Sequence, residues 1–103
     1  MNSIDESVMK VIKDAIVTVP GVVSFSNFNA DSRDELPTSE IEKAIEFTNT
    51  DNINRFRIHV IILSGVNIRD VLKEIQIRVK YELEKMSKFT VKYMADIVVD
   101  DLA

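Results

Sequence analysis

The residues of this 103-residue chain that could do acid–base chemistry centre on one histidine. His59 is the only histidine, and Arg57 lies on the same side of the pleat if the run around them is a strand. A positioned imidazole can act as a general base, and the turn at Gly65 opens a helix whose first amides could seat an anion. These residues suggest a small-molecule binder or a minor enzyme. The competing interpretation, which we favour, is a structural or surface histidine.

Other common catalytic and metal-binding patterns are missing from the sequence. There is no cysteine, so neither a thiolate site nor a disulfide framework can form. Gly21 and Gly65 are the only glycines, and neither belongs to a phosphate-binding loop. The acidic segment 29–39 lacks the spacing and the central glycine of an EF-hand. We therefore expect no catalytic residues, no metal site and no cofactor, and we expect that the protein is not an enzyme.

One strand and one helix must position the histidine and the Gly65 turn. Residues 55–63 alternate and then become wholly apolar, which indicates a strand that ends deep in a sheet. Asn67 is a suitable N-cap for the helix that follows, and Asp70 completes an approximate capping box. Apolar residues then recur at steps of three and four and predict one buried stripe, formed by Ile68, Val71, Leu72, Ile75, Val79, Leu83 and Met86.

Two apolar residues interrupt the polar face of this helix. Ile77 and Tyr81 are one turn apart and point away from the buried stripe. They are either ordinary exposed side chains, which need no explanation, or a contact surface for a partner. If the chain has a binding site, we expect it on this face, at Ile77, Tyr81, Lys73 and Glu84.

The remaining segments predict a single α+β domain over residues 1–103. The first helix begins with a Ser3–Glu6 capping box and ends near Thr18. Alternation predicts further strands, and Asp51-Asn52 supplies a hairpin turn. The order α-β-β-β-α-β predicts a two-layer sandwich, a mixed sheet of about four strands with two helices on one face. The further strands are expected at residues 22–28, 41–48 and 90–100.

The composition argues against two classes of partner. The net charge is −4 and the pI is about 4.9, whereas domains that bind nucleic acid are usually basic. An RNA-binding module is therefore a minor alternative. The apolar runs are too short to span a membrane, and the acidic start does not resemble a signal peptide. We expect a cytoplasmic protein that binds no nucleic acid and does not itself span a membrane.

Two stretches of the chain form recognisable motifs: Gly65-Val66-Asn67-Ile68, continued by Val71, Ile75-Gln76, Val79 and Met86, and the earlier Val19-Pro20-Gly21-Val22. They resemble the bacterial alkaline shock protein family, also called the envelope stress response family. Arg69 departs from the family, which commonly has proline there, and Ser87-Lys88 replaces a Thr-Gly helix exit. The resemblance covers almost the whole chain and keeps the order of its elements.

The resemblance implies a non-enzymatic accessory protein that works through protein–protein contacts. Members of the family are general stress proteins linked to the cell-envelope stress response or to membrane-lipid homeostasis. It also implies a cytoplasmic location, in some members peripheral to the membrane through an anchoring protein, and a tendency to form homo-oligomers. The alternative is a regulatory partner of a fatty acid kinase or of acetyl-CoA carboxylase. The implied partner is thus a membrane anchor protein or a lipid-metabolism enzyme.

Overall fold

A computed structural model describes residues 5–88 and 90–103. Within these residues the chain forms two α-helices and a five-stranded sheet, with two short 3₁₀ turns. The α+β class and the general order of the elements are confirmed. The helices and strands are α1 (Glu6–Val17), β1 (Val22–Ser26), β2 (Pro37–Thr38), β3 (Ile45–Thr50), β4 (Ile53–Ile62), α2 (Ile68–Met86) and β5 (Lys92–Leu102).

β4 lies at the centre of the sheet and pairs with three other strands. β5 runs parallel to it along one edge, from Ile53 opposite Lys92 to Ile62 opposite Leu102. The other edge is shared, because β3 pairs antiparallel with the first part of β4 and β1 pairs antiparallel with its last residues. β2 extends that side by pairing with β1. The mixed sheet is therefore confirmed, with five strands instead of about four.

Both helices pack on one face of this sheet, as the sequence predicts. Alternate residues of β4 form the floor of the core, while Arg55 and Arg57 lie between them on the other face and are exposed. Fully burying an aliphatic or aromatic core side chain contributes about 1.5–3 kcal/mol. The core residues that the two helices share with β4 are Ile12, Ala15, Ile16, Phe56, Ile58, Val60, Ile62, Val71, Ile75, Val79 and Leu83.

Both helices begin at a side-chain cap. In α2 the predicted N-cap is confirmed, because the Asn67 side-chain oxygen accepts a backbone N–H of the first turn at 3.1 Å. In α1 the cap is Asp5, whose carboxylate accepts from the hydroxyl and the backbone N–H of Ser7. These hydrogen bonds lower the pKa of Asp5. The predicted cap Ser3 lies outside the described residues, and its predicted partner Glu6 is the first residue of the helix.

The strand predicted for residues 41–48 is wrong at its start. Residues 41–43 form a 3₁₀ turn, and β3 begins only at Ile45. The chain joins the sheet at this point because the Ala44 carbonyl accepts the backbone N–H of His59 at 2.8 Å. Ile41 is buried although it precedes the strand. An apolar residue that is buried within a turn therefore extended the alternating pattern, and this made the predicted strand too long.

The boundaries of two other elements and the burial of one residue differ from the sequence prediction. β1 ends at Ser26, because the Asn27 side chain accepts the backbone N–H of Asn29 at 3.0 Å and starts a local turn. β5 begins at Lys92, later than the predicted start at residue 90, and ends at Leu102. Met86 is 42% exposed, so the buried stripe of α2 ends one turn earlier than predicted.

Candidate functional site

α1 and α2 leave a surface groove of about 490 Å³ between them. Ile77 and Tyr81 line this groove and are 53% and 52% exposed, so both lie at the surface as the sequence predicts. Residues of α1 complete the opposite wall. We call this feature the interhelical groove, and its lining residues are Val11, Asp14, Ala15, Thr18, Ile77, Arg78, Tyr81 and Glu82.

Arg78 connects the two helices within the groove. Its Nε donates to Glu74 Oε1 at 2.7 Å, and its Nη1 donates to the carbonyl and hydroxyl oxygens of Thr18 at 3.2 Å and 2.8 Å. Thr18 is the C-cap of α1, and the last turn of α1 contains no basic residue. Arg78 therefore supplies a positive charge at the negative end of the α1 dipole. This contact fixes the end of α1 against α2 and so sets the shape of the groove.

Charged side chains surround the exposed apolar pair. Lys85 Nζ lies 6.0 Å from the centroid of the Tyr81 ring, which is within the range of a cation–π contact. Asp14 pairs with Lys10 at 2.9 Å, and Glu82 is partly buried on the α2 side of the groove. Apolar side chains inside a polar rim are typical of protein contact surfaces.

Lys73 and Glu84 do not join Ile77 and Tyr81 in the interhelical groove. Lys73 lines a different groove, on the side of α2 that faces β5. Glu84 is partly buried, and its backbone carbonyl accepts the hydroxyl of Ser87 at the end of the helix. The structure therefore divides the predicted surface into two parts. Binding at these four residues stays a prediction.

Sequence reasoning misses the α1 wall of the groove. Val11 and Ala15 follow the helical spacing of core residues, and Ala15 is indeed buried, whereas Val11 is only partly so. Asp14 carries no signal that separates it from other surface carboxylates. Which side of α1 faces α2 depends on how both helices pack on the sheet, and no local pattern encodes that packing.

A polar cluster lies on the opposite face of the sheet. His59 is 8% exposed. Its Nδ1 lies 3.0 Å from Asp100 Oδ2, and its Nε2 lies 2.8 Å from Glu46 Oε2. Ser26 Oγ donates to Asp100 Oδ2 at 2.7 Å, and the Phe28 ring lies over the imidazole with the ring centroids 4.9 Å apart. We call these five residues the His59 cluster.

The His59 cluster holds the imidazole from both sides. A carboxylate faces each ring nitrogen, and ionised carboxylates only accept hydrogen bonds. Ser26 donates to Asp100 and not to the imidazole, so His59 is not placed to take a proton from a serine as in a Ser-His-Asp triad. A buried polar network of this kind stabilises a fold only while each member keeps its partners.

The structure does not assemble the alternative site of His59, Arg57 and the Gly65 turn. Gly65 lies beyond the end of β4, in the turn that precedes α2. Within residues 5–88 and 90–103, no group of three or more histidine, cysteine, aspartate or glutamate residues is placed to hold a metal ion. Arg57 lines a groove of about 320 Å³ together with Glu46, Thr48, Arg55 and Asp96.

The fold and these surfaces define a small two-layer α+β domain with a groove between its helices. A family model matches residues 2–103, and its family is the alkaline shock protein 23 family, described by a cell envelope-related function. The chain belongs to this family, which confirms the resemblance carried by its Val19-Pro20-Gly21-Val22 and Gly65-Val66-Asn67-Ile68 motifs. No curated protein and no solved structure matches the chain.

The helices also bear on membrane insertion. In the part of the chain that the structure describes, neither α1 nor α2 is long and apolar enough to cross a membrane.

Proposed function

We propose that this protein is a non-enzymatic accessory protein of the cell envelope that acts through protein–protein contacts at the interhelical groove. The observation that carries the proposal is the pair Ile77 and Tyr81, which stays exposed on an otherwise polar helix face. Family membership supports the link to the envelope. The proposed role is in the envelope stress response or in membrane-lipid homeostasis. The protein is then cytoplasmic and reaches the membrane through its partner.

The interhelical groove suits an apolar side chain of a partner. A few aromatic and apolar residues at the desolvated centre of an interface usually supply most of its binding energy. Tyr81 combines an apolar ring with a polar hydroxyl, a combination that is enriched at interfaces. A partner side chain inserted beside Ile77 and Tyr81 would remove both from water and would meet Asp14 and Glu82 in the lining of the groove. The proposed partner is a membrane anchor protein or a lipid-metabolism enzyme.

Affinity purification of the tagged protein from its own cells tests this contact. The test variant is Ile77→Ser/Tyr81→Ser, and the control Leu63→Ser/Met86→Ser removes two side chains of similar exposure, 47% and 42%, outside the groove. We expect the test variant to keep its circular dichroism melting curve. Its affinity for the partner should fall by about tenfold, which is about 1.4 kcal/mol. Unchanged partners and an unchanged sedimentation profile would refute the contact.

The same purification separates the two kinds of partner. Recovery of a fatty acid kinase or of acetyl-CoA carboxylase subunits supports a regulatory role in lipid metabolism, whereas recovery of a membrane protein supports an anchored role. Recovery of further copies of this chain alone would make the groove a self-association surface. A small-molecule or RNA-binding role has less support, because carboxylates face both ring nitrogens of His59 and the net charge is −4.

A further inference from the structure

Part of the sheet edge beside β1 is uncovered. β2 pairs only with Phe25 and Ser26, so within the described residues the start of β1 has no neighbouring strand on that side. Val23 lies in an irregularity between the pairs that Val22 and Ser24 make with β4, and its side chain is 49% exposed. An unpaired strand edge offers N–H and C=O groups to an added strand.

The chain turns away from this open edge at Thr38. Thr38 lies opposite Phe25, so a longer β2 would carry Ser39 and Glu40 along the start of β1. Instead, the Thr38 hydroxyl accepts the backbone N–H of Glu40 at 3.0 Å, and the 3₁₀ turn Ile41–Lys43 follows. A local side-chain hydrogen bond therefore competes with strand extension. It leaves the strand position beside the start of β1 unfilled.

A groove of about 450 Å³ lies along this open edge. Its second wall is the last part of α1, where Val17 is 60% exposed and Ile16 is buried. Val23 and Pro37 are exposed and add further apolar surface. A strand edge facing a helix across an apolar groove is a geometry in which an extended peptide can be held by its backbone and by alternate side chains. We call this feature the β1-edge groove.

Lys13 adds a positive charge to the β1-edge groove. It lines the groove and is exposed. Among the described residues its ammonium group has no hydrogen bond or ion pair, whereas the neighbouring Lys10 pairs with Asp14 at 2.9 Å. Complementary charges at an interface favour association and fix its register. An acidic side chain is therefore the matching group on a partner.

We propose that the β1-edge groove binds an extended segment of a partner protein as an added strand. The segment runs antiparallel to β1, in line with β2, and hydrogen-bonds to the backbone at Val23. One apolar side chain of the segment lies against Val17 and Val23, and an acidic side chain lies near Lys13. α1 separates this surface from the interhelical groove. Binding at one groove can therefore be tested, and refuted, without affecting the proposal for the other.

The unpaired backbone groups of β1 and the charge of Lys13 both favour a peptide over other occupants of the β1-edge groove. An acyl chain could cover Val17 and Val23 but offers no groups to pair with the strand edge. A second copy docking its own β1-edge groove would bring two Lys13 side chains into one interface, because a two-fold interface uses the same patch twice. Like charges at an interface are unfavourable.

Selection of linear heptapeptides displayed on phage, with the full-length protein as bait, tests the proposal. We expect the enriched peptides to alternate apolar residues around one acidic residue, and end-capped synthetic copies to shift the amide NMR signals of residues 13–17 and 22–24. Lys13→Glu should weaken their binding by about tenfold or more, while the same change at Lys10, an exposed lysine of α1 outside this groove, should not. Replacing the acidic residue of the peptide by lysine should restore binding to Lys13→Glu, and N-methylation of the peptide backbone should abolish it.

Several results would overturn the proposal. The first is the absence of enriched peptides, or equal effects of Lys13→Glu and Lys10→Glu. The second is a shift of the Ile77 and Tyr81 signals instead of those of β1. A concentration-dependent dimer that Val17→Lys abolishes, without peptide binding, would assign the groove to a second copy. Binding of dodecanoate in place of any peptide would assign it to an acyl chain.

Discussion

At the scale of single residues, Asp100 holds the His59 cluster together. β4 and β5 change register after Val60, which pairs with Val99, and Ile61 pairs with Asp101. Asp100 is the additional residue at this irregularity, and such bulges often redirect a side chain. Its carboxylate reaches the His59 imidazole and the Ser26 hydroxyl. The sequence shows a lone histidine beside Arg57, but its partners depend on this long-range register.

Removal of the Asp100 carboxylate should destabilise the fold. Asp100→Ala leaves His59 Nδ1 and Ser26 Oγ without their partner, and an unsatisfied buried polar group costs about 1–3 kcal/mol. Asp96→Ala, at an exposed position of the same strand, should change the free energy of unfolding by less than about 0.5 kcal/mol. Urea denaturation of both variants measures the difference. Equal losses of unfolding free energy in the two variants would show that the His59 cluster does not stabilise the fold more than an exposed carboxylate does.

Gly21 and Gly65 allow backbone strain to be separated from packing. Both have left-handed φ angles, +98° and +91°. A Cβ at Gly21 would lie 3.0 Å from Val71 Cγ2, whereas one at Gly65 would have no neighbour within 4 Å. Gly65→Ala should therefore cost about 1–2 kcal/mol from the backbone alone. Gly21→Ala should cost more because Val71 must also move, and chemical denaturation that ranks the two variants equally would contradict this packing.

The Arg33–Asp101 pair makes a prediction about pH. Arg33 Nε and Nη2 donate to the two Asp101 oxygens at 2.8 Å and 2.6 Å, and these bonds lower the pKa of Asp101. Since the folded pKa is the lower one, the pair stabilises the fold above the unfolded-state pKa, and that contribution is lost as pH falls through the folded pKa. In Arg33→Ala the pKa of Asp101 should rise toward its ordinary value. NMR titration of the carboxyl carbon measures the pKa, and a value that does not move would contradict the pairing.

At the scale of elements, strong local signals predict α2 and the β3–β4 hairpin. Asn67 is a helix cap that can be identified without tertiary information. Asp51 and Asn52 have φ angles of 53° and 65°, the left-handed values that a tight hairpin turn requires. β2 could not be predicted in this way, because it consists of Pro37–Thr38 and exists only through its pairing with β1. Elements that local residues determine can therefore be predicted from the sequence, whereas elements that depend on pairing with a distant strand cannot.

The docking of α1 should depend on Arg78. Arg78→Ala removes the hydrogen bonds to Thr18 and the positive charge at the end of α1, so we expect a loss of about 1–2 kcal/mol in unfolding free energy. Amide hydrogen exchange in the last turn of α1 should become faster. Arg78→Lys keeps the charge but not the planar donor geometry and should restore only part of the loss. Arg69→Ala, an exposed control on α2, should leave exchange in α1 unchanged. Equally fast exchange in Arg78→Ala and Arg69→Ala would contradict a specific contact between Arg78 and Thr18.

At the scale of the whole molecule, the two-layer fold separates a helix layer with an interhelical groove from a polar sheet face. Ile77 and Tyr81 could be identified from the pattern of α2 alone, because they interrupt its polar face. Val11 and Asp14 could not, because the shared core and the Arg78–Thr18 contact set the orientation of α1. The sequence therefore predicts the α2 wall of the groove, whereas its α1 wall could be identified only from the packed structure.

The proposed partner of the interhelical groove connects this protein to the cell envelope. The most direct test is the fraction of the protein that sediments with membranes from its own cells. We predict that the wild type and the Leu63→Ser/Met86→Ser control sediment with the membranes, whereas Ile77→Ser/Tyr81→Ser stays in the supernatant with its fold intact. Equal recovery of all three proteins with the membranes would contradict the claim.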